Sequence, residues 1–141
     1  MKLRSYAMVL AAAFAANACS VPTLEAPECT DSRNAARQFY SFHFGNEMKF
    51  SAEGLEERKH FLTPELYEQA RQTAGDGDPF TTGTDDVPRA FRLGACTVVS
   101  PERTKFTLSL YWKDDDRSQQ QNIAVEMERA GDAWLVDKID R

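Results

Sequence analysis

The fold is decided by residues 106–127, which read FTLSLYWKDDDRSQQQNIAVEM. On both sides of the acidic segment DDD, large apolar residues occupy every second position: Phe106, Leu108, Leu110 and Trp112, then Ile123, Val125 and Met127. A period of two places one set of side chains on the buried face of a β-sheet and the other set in water. The stretch therefore predicts two antiparallel strands joined by a hairpin loop at residues 114–118.

Turn residues on either side extend this hairpin into a meander. Ser100-Pro101-Glu102-Arg103 suits a type I turn, and Ala130-Gly131-Asp132 suits a tight turn before an aromatic last strand. Pro88 favours an extended chain just before the first strand. Residues 90–141 are therefore predicted to form four antiparallel strands that follow one another in sequence order.

The segment before the sheet carries helix signals at two places. Asp31 or Ser32 can cap a helix whose apolar residues recur at helical spacing until Gly45. Thr63-Pro64-Glu65 combines a cap, a proline at the first helical position and an acid near the positive helix end, and Gly75 is expected to end this second helix. The predicted fold class is α+β, with N-terminal helices packed on a curved four-stranded antiparallel sheet.

Residues 1–18 have the parts of an export signal peptide. Lys2 and Arg4 provide the positive start, and the uncharged run 5–18, which is 14 residues long, is too short to span a bilayer comfortably. Ala16-Asn17-Ala18 supplies a small-residue cleavage site. We therefore divide the chain into a signal peptide (1–18), a lipid-anchored tether (19–30) and a single α+β domain (31–141).

Cys19 follows the cleavage site directly and resembles the lipidated cysteine of bacterial lipoproteins, although those usually carry Leu or Val where this chain has Ala16. Ordinary signal cleavage before Cys19 is the alternative. Ser20 resembles the residue that follows the cysteine in outer-membrane lipoproteins. The sequence thus predicts a periplasm-facing lipoprotein of the bacterial outer membrane, or otherwise a soluble periplasmic protein.

Cys29 and Cys96 are left once Cys19 carries a lipid. In an oxidising compartment they are candidates for one disulfide, with two unpaired thiols as the alternative. The strand phase is unfavourable, because Phe91 and Leu93 share one face and Cys96 falls on the other. A local bulge, or a pairing across the sheet edge, would be needed to bring the two sulfurs together.

The charge balance limits the classes of partner. Cleavage before Cys19 leaves 15 basic and 22 acidic residues, a net charge of −7, and no basic cluster stands out. This argues against binding nucleic acid or anionic lipid headgroups. Membrane contact is therefore expected through the N-terminal lipid rather than through a basic surface.

Four short motifs, in this order, resemble the bacterial envelope proteins of the DUF3828 family, which has no assigned activity. They are Ala36-Arg37-Gln38-Phe39-Tyr40, Phe61-Leu62-Thr63-Pro64-Glu65-Leu66, Asp78-Pro79-Phe80 and Trp134-Leu135-Val136-Asp137-Lys138-Ile139. The arrangement is similar to the cystatin-like cone of the nuclear-transport-factor-2-like (NTF2-like) superfamily. The resemblance spans about residues 33–140 and implies helices folded over a curved sheet around a cavity. Some members bind or convert small apolar molecules there, and others have the cavity filled by side chains.

Few residues in the sequence are candidates for a catalytic or binding role. His43 could face such a cavity and transfer a proton if an acid lay beside it, but spacing implies no such acid. Tyr40, His43, Tyr111 and Trp134 are the candidate pocket-wall residues, with a place in the core as the alternative. Residues 75–86 are acidic but do not match a calcium loop, and no catalytic motif is found, so we predict no catalytic residues, metal or cofactor.

These observations favour an envelope protein that is a non-catalytic binding or accessory module. Its expected partner is a small apolar ligand or another envelope protein. One alternative is a small-molecule carrier or an isomerase-like enzyme that uses the cone cavity. Another is an inhibitor or immunity protein that presents residues 75–86 to a protein partner.

Overall fold

The computed structural model describes residues 24–46 and 50–141. In chain order these form α1 (Pro27–Gly45), α2 (Ala52–Arg58), a short 3-10 helix (Lys59–Phe61), α3 (Pro64–Gln72), β1 (Ala90–Ser100), β2 (Arg103–Lys113), β3 (Ser118–Ala130) and β4 (Ala133–Asp140). The strands pair antiparallel in the order β1-β2-β3-β4, and the sheet is not closed. The predicted α+β class and the four-stranded meander are confirmed.

The signal peptide and Cys19 lie outside the described residues. Within residues 24–46 and 50–141, each helix is either too short or too polar to cross a membrane.

The core lies between the helices and one face of the sheet. The alternating apolar residues of β2 and β3 are each at most 3% exposed: Phe106, Leu108, Leu110, Trp112, Ile123, Val125 and Met127. Phe39 of α1 packs against this face and is fully buried, which contributes roughly 1.5–3 kcal/mol. The period-two prediction therefore identified the buried face correctly.

Helix α1 begins earlier than predicted. It starts at Pro27, whose fixed φ suits the first turn, and neither Asp31 nor Ser32 is its cap. The Ser32 hydroxyl is buried inside the helix, where it donates to the Glu28 carbonyl (2.6 Å) and accepts from Thr104 Oγ1 (2.7 Å). Residues 27–30, expected in the tether, therefore belong to α1. The predicted stop is confirmed, because the helix ends at Gly45.

Helix α3 begins as predicted and ends sooner. Thr63 caps it by accepting a hydrogen bond from the Leu66 amide (3.3 Å), and Pro64 is its first residue. The helix ends at Gln72 rather than near Gly75, because the Thr73 amide turns to the Ala70 carbonyl. Gly75 instead takes a positive φ of 96° in the following turn.

Cys29 and Cys96 form a disulfide that joins α1 to β1. Leu93 pairs with Leu108 but Cys96 pairs with Phe106, so β1 has one extra residue between these pairs. A bulge of this kind reverses the phase of the residues that follow it, which turns Cys96 toward α1. The disulfide and the bulge that it required are confirmed, and the alternative of two unpaired thiols is wrong.

Candidate functional site

A buried chain of three polar side chains connects α1, α2 and the loop after α3. His43 lies in the last turn of α1, Arg58 ends α2, and Asp78 lies in the loop. Each of these residues is at most 3% exposed. Buried charges are normally paired and hydrogen-bonded, so each polar atom of these three side chains is expected to have a partner.

The bonding pattern determines which nitrogen of His43 carries the proton. Arg58 Nε lies 2.8 Å from His43 Nδ1, and arginine can only donate, so Nδ1 accepts. The ring proton is therefore on Nε2, which donates to Asp78 Oδ2 at 2.8 Å. A neutral imidazole thus bridges a buried guanidinium and a buried carboxylate.

Asp78, the acid of this group, accepts three hydrogen bonds. Its Oδ1 accepts from the Phe80 amide (3.0 Å), and its Oδ2 accepts from Thr81 Oγ1 (2.7 Å) as well as from His43. Burial raises the pKa of Asp78, but these bonds, with the one from His43 strongest, outweigh burial and hold that pKa below its usual value of 3.8. The carboxylate is therefore charged at neutral pH.

The geometry suits a structural clamp rather than an acid–base centre. Both ring nitrogens of His43 are engaged and the ring is fully buried, so neither can reach a ligand. Arg58 also donates to the carbonyls of Gly54 (2.6 Å) and Asn46 (3.0 Å). The three side chains therefore hold the end of α1, the end of α2 and the loop together.

The loop of residues 75–86 is held by further contacts at both sides. Tyr40 Oη donates to the Phe80 carbonyl at 2.9 Å, and burial, followed by the Asp78 charge, raises the pKa of Tyr40 well above 10. Arg141 donates to the carbonyls of Thr81 (3.0 Å) and Pro79 (2.6 Å). Residues 75–86 thus form an ordered loop, with Phe80 completely buried.

Gly77→Ala should lower the free energy of unfolding more than Gly75→Ala. Both glycines have a positive φ (127° and 96°), which disfavours any Cβ. A Cβ at Gly77 would also lie 2.6 Å from the Gly83 carbonyl oxygen, whereas nothing lies within 4 Å at Gly75. Urea unfolding should show a larger loss for Gly77→Ala by about 1–3 kcal/mol. Equal losses would mean that the two sides of the loop are not in close contact.

An open groove of about 550 Å³ lies between α1 and the β3–β4 hairpin. Its less exposed lining residues are apolar, namely Ala35, Phe61, Trp134 and Leu135. Its exposed lining residues are mostly polar: Asp31, Asn34, Gln38, His60, Arg129 and Asp132. At His60 and Leu135 it continues into a second hollow of about 410 Å³ that includes Leu62 and Tyr67. The accessible lining of the groove is therefore mainly polar, with apolar side chains beneath it, and its concave shape is the feature that it shares with binding sites.

The structure places the four candidate pocket-wall residues in three environments. Tyr40 and His43 are fully buried in the core, and Trp134, which is 9% exposed, belongs to the core and also lines the groove. Tyr111 is half-buried on the opposite face of the sheet, because its strand neighbours Leu110 and Trp112 point into the core. The four residues therefore do not meet around one cavity.

Sequence reasoning missed Asp78 and Arg58 as the partners of His43. They lie 35 and 15 residues away in the chain, so no helical or strand spacing could connect them. The one available signal was the motif Asp78-Pro79-Phe80, in which an aspartate two residues before an aromatic can accept the backbone amide of that residue.

Among the described residues, Glu25, Cys29 and Cys96 have donor atoms within 4.8 Å of one another, as a metal site would need. Both sulfurs are joined in the disulfide, so neither is available as a thiolate ligand. The group is better described as the junction of α1 with β1.

No protein-family model matches the chain, and no curated protein matches it significantly. Among solved structures, a protein of unknown function from Bacteroides thetaiotaomicron VPI-5482 is similar, with a TM-score of 0.56 and 20% sequence identity. The similarity covers 79% of this chain and 90% of that chain. At this identity it shows the fold alone, and the resemblance to DUF3828 and NTF2-like proteins stays a prediction.

Proposed function

We propose that this chain is an exported, lipid-anchored envelope protein that acts as a non-catalytic binding module through the groove between α1 and the β3–β4 hairpin. We also propose that its helices and sheet form the cystatin-like cone of the NTF2-like superfamily, as the DUF3828 resemblance implies. One observation carries the proposed function. The acid–base group of the described residues is buried and internally bonded, whereas the groove is open and concave, with exposed polar side chains around a few apolar ones.

The disulfide supports export. Disulfides form and persist in oxidising compartments such as the bacterial periplasm and are rare in the cytosol. Cys29–Cys96 links two elements 67 residues apart, so its formation constrains the whole domain rather than a local loop. This agrees with a signal peptide at residues 1–18 and with Cys19, rather than Cys29, as the anchored residue.

The rival functions receive less support. A carrier or isomerase-like enzyme would need His43 and Tyr40 at the wall of an open cavity, and both are buried with their polar atoms engaged. An inhibitor that presents residues 75–86 is favoured by one observation, the firm fixing of that loop by Asp78, Tyr40 and Arg141. A rigid loop loses little entropy on binding. The loop is therefore kept as the second candidate surface.

Gln38→Arg should reduce binding to the natural partner by at least about tenfold, which corresponds to 1.4 kcal/mol. Gln38 is exposed on α1 and lines the groove, so a long charged side chain would obstruct it. Native mass spectrometry of the protein released gently from its own envelope measures the bound fraction. The same spectrum gives the mass of any lipid attached to Cys19.

Two variants serve as matched controls for this test. Gln120→Arg makes the same change on the opposite face of the sheet and should leave the bound fraction unchanged. Asp85→Arg changes the exposed loop. Loss of the partner in Asp85→Arg alone would assign binding to the loop, and unchanged binding in Gln38→Arg would contradict the groove.

A further inference from the structure

In residues 24–46 and 50–141, three of the four exposed large apolar side chains lie at one end of the domain. Of the four in the described residues, Leu24 (91% exposed), Val98 (39%) and Val99 (58%) lie where α1 begins, and Val87 lies elsewhere. Glu25, next to Leu24, has its carboxylate within 4.8 Å of the Cys96 sulfur, and the two valines follow Cys96 along β1. We call this the α1-start end, defined by Leu24, Val98 and Val99.

Strand β1 is irregular where these valines lie. Val98 pairs with Thr104 and Ser100 pairs with Arg103, so Val99 is the extra residue of a second bulge. A bulged residue is not paired with the neighbouring strand, and its side chain points in a different direction from that of a regular strand residue. Valine is common in strands, so one exposed valine would mean little, but two in succession beside Leu24 form a small apolar surface at this end of the domain.

The lipid-bearing cysteine would lie close to this end. Cys19 precedes Leu24 by five residues, which span at most about 17 Å when fully extended. Little slack follows Leu24, because Glu25 is paired with Arg33 and the helix starts at Pro27. A lipid on Cys19 therefore keeps the α1-start end near the bilayer surface.

We infer that the α1-start end rests on the bilayer, with Leu24, Val98 and Val99 in contact with lipid, and that the loop of residues 75–86 faces away. This inference rests on the lipid anchor of the proposed function. The lipid holds the domain at one point only, so an apolar contact beside it would fix the orientation of the domain rather than the strength of the anchor. The net negative charge of the chain opposes attraction to anionic headgroups, so the contact depends on the lipid and the apolar side chains alone.

The connections of the sheet determine what else lies at each end. The β1–β2 and β3–β4 turns share the α1-start end, since the Arg129 amide donates to the Glu102 carbonyl at 2.8 Å. The β2–β3 loop and residues 75–86 share the other end, where Arg117 pairs with Asp86. Helix α1, with 19 residues, spans about 28 Å between the two ends.

This orientation has two consequences for binding. The acidic residues 85–86 and 114–116 lie at the far end, away from anionic headgroups, whereas Glu25, Glu102 and Asp132 lie at the α1-start end and are repelled by them. The groove has Asp31, Arg129 and Asp132 in its lining, so it opens near the α1-start end. A partner in the groove would therefore be held close to the membrane surface.

Paramagnetic broadening of NMR signals tests this orientation on the full lipidated chain in nanodiscs that contain a gadolinium-chelating lipid. The signals of Leu24, Val98, Val99 and Gly131 should be lost, while those of Gly83 and Asp115 keep their intensity. Uniform broadening, or loss at Gly83 and Asp115 instead, would overturn the inference.

A pair of variants separates lipid contact from simple tethering. V98S/V99S should retain the lipid and the broadening at Leu24 but recover intensity at Gly131, because the domain is then free to tilt. V87S changes the exposed valine outside the α1-start end and should leave the pattern unchanged. Unchanged broadening at Gly131 in V98S/V99S would overturn the contact.

The mass of the same sample distinguishes this failure from failure of the proposed function. A lipidated protein with the wrong broadening pattern overturns only the orientation. A protein that matures without lipid on Cys19 overturns the anchor and the orientation together, while leaving the groove to be judged by Gln38→Arg.

Discussion

Asp78→Asn is expected to lower the free energy of unfolding by about 3–5 kcal/mol, the usual loss when one partner of a buried charge pair is removed. Asp78 is 2% exposed and accepts hydrogen bonds from His43, Thr81 and the Phe80 amide. Asparagine carries no charge, so Arg58 would remain buried without its counter-charge. Urea unfolding at pH 7, followed by tryptophan fluorescence, measures the change.

Two controls separate the effect of burying Asp78 from the effect of its coupling to Arg58. Asp76→Asn makes the same change at an exposed position two residues earlier and should shift stability by no more than about 0.5 kcal/mol. In a double-mutant cycle with Arg58→Met, the loss of unfolding free energy in the double variant should be smaller than the sum of the two single losses by about 0.5–3 kcal/mol. Additive losses would contradict a bridge through His43.

The same carboxylate predicts the direction of a pH effect. Because hydrogen bonds hold the pKa of Asp78 below 3.8 in the folded state, the unfolded chain takes up the proton more readily. The resulting stabilisation is fully present above pH 3.8 and is lost as the pH falls through the lower folded-state pKa. The stability gap between wild type and Asp78→Asn should therefore be constant near neutrality and narrow in acid. A gap that widens in acid would contradict this assignment.

Removal of the disulfide in C29A/C96A is expected to cost about 4 kcal/mol. The bridge spans 67 residues, and in the chain-entropy model a loop of this length restricts the unfolded chain strongly. Equilibrium unfolding in urea, compared between wild type and the variant, measures the loss.

Reduction provides an independent check on this value. A reducing agent should move the wild-type unfolding curve close to that of C29A/C96A and should leave the variant's curve unchanged. A variant within about 1 kcal/mol of the oxidised wild type would show that the unfolded chain gains little freedom from losing the bridge.

Local patterns in the sequence determined most of the fold. The period of two in residues 106–127 identified the buried face of β2 and β3, because alternate side chains of a strand point to opposite faces. Thr63-Pro64 located the start of α3, and Gly45 located the end of α1, because capping depends on a few adjacent backbone groups. The start of α1 was misjudged because the Ser32 hydroxyl serves a partner on β2, Thr104, rather than the helix end.

Only the tertiary structure decided the chemistry of the site. His43 was identified from the sequence as a residue that could transfer a proton if an acid lay beside it. Its partners Asp78 and Arg58 come from segments that are distant in the chain. Contacts at such separations depend on how the loop after α3 folds over the end of α1, which no local spacing encodes. The same holds for the disulfide, where one extra residue in β1 reverses the strand phase and turns Cys96 toward Cys29. Sequence periodicity determines which face of an element is buried, whereas the pairing of polar groups depends on the packing of elements that are far apart in the chain.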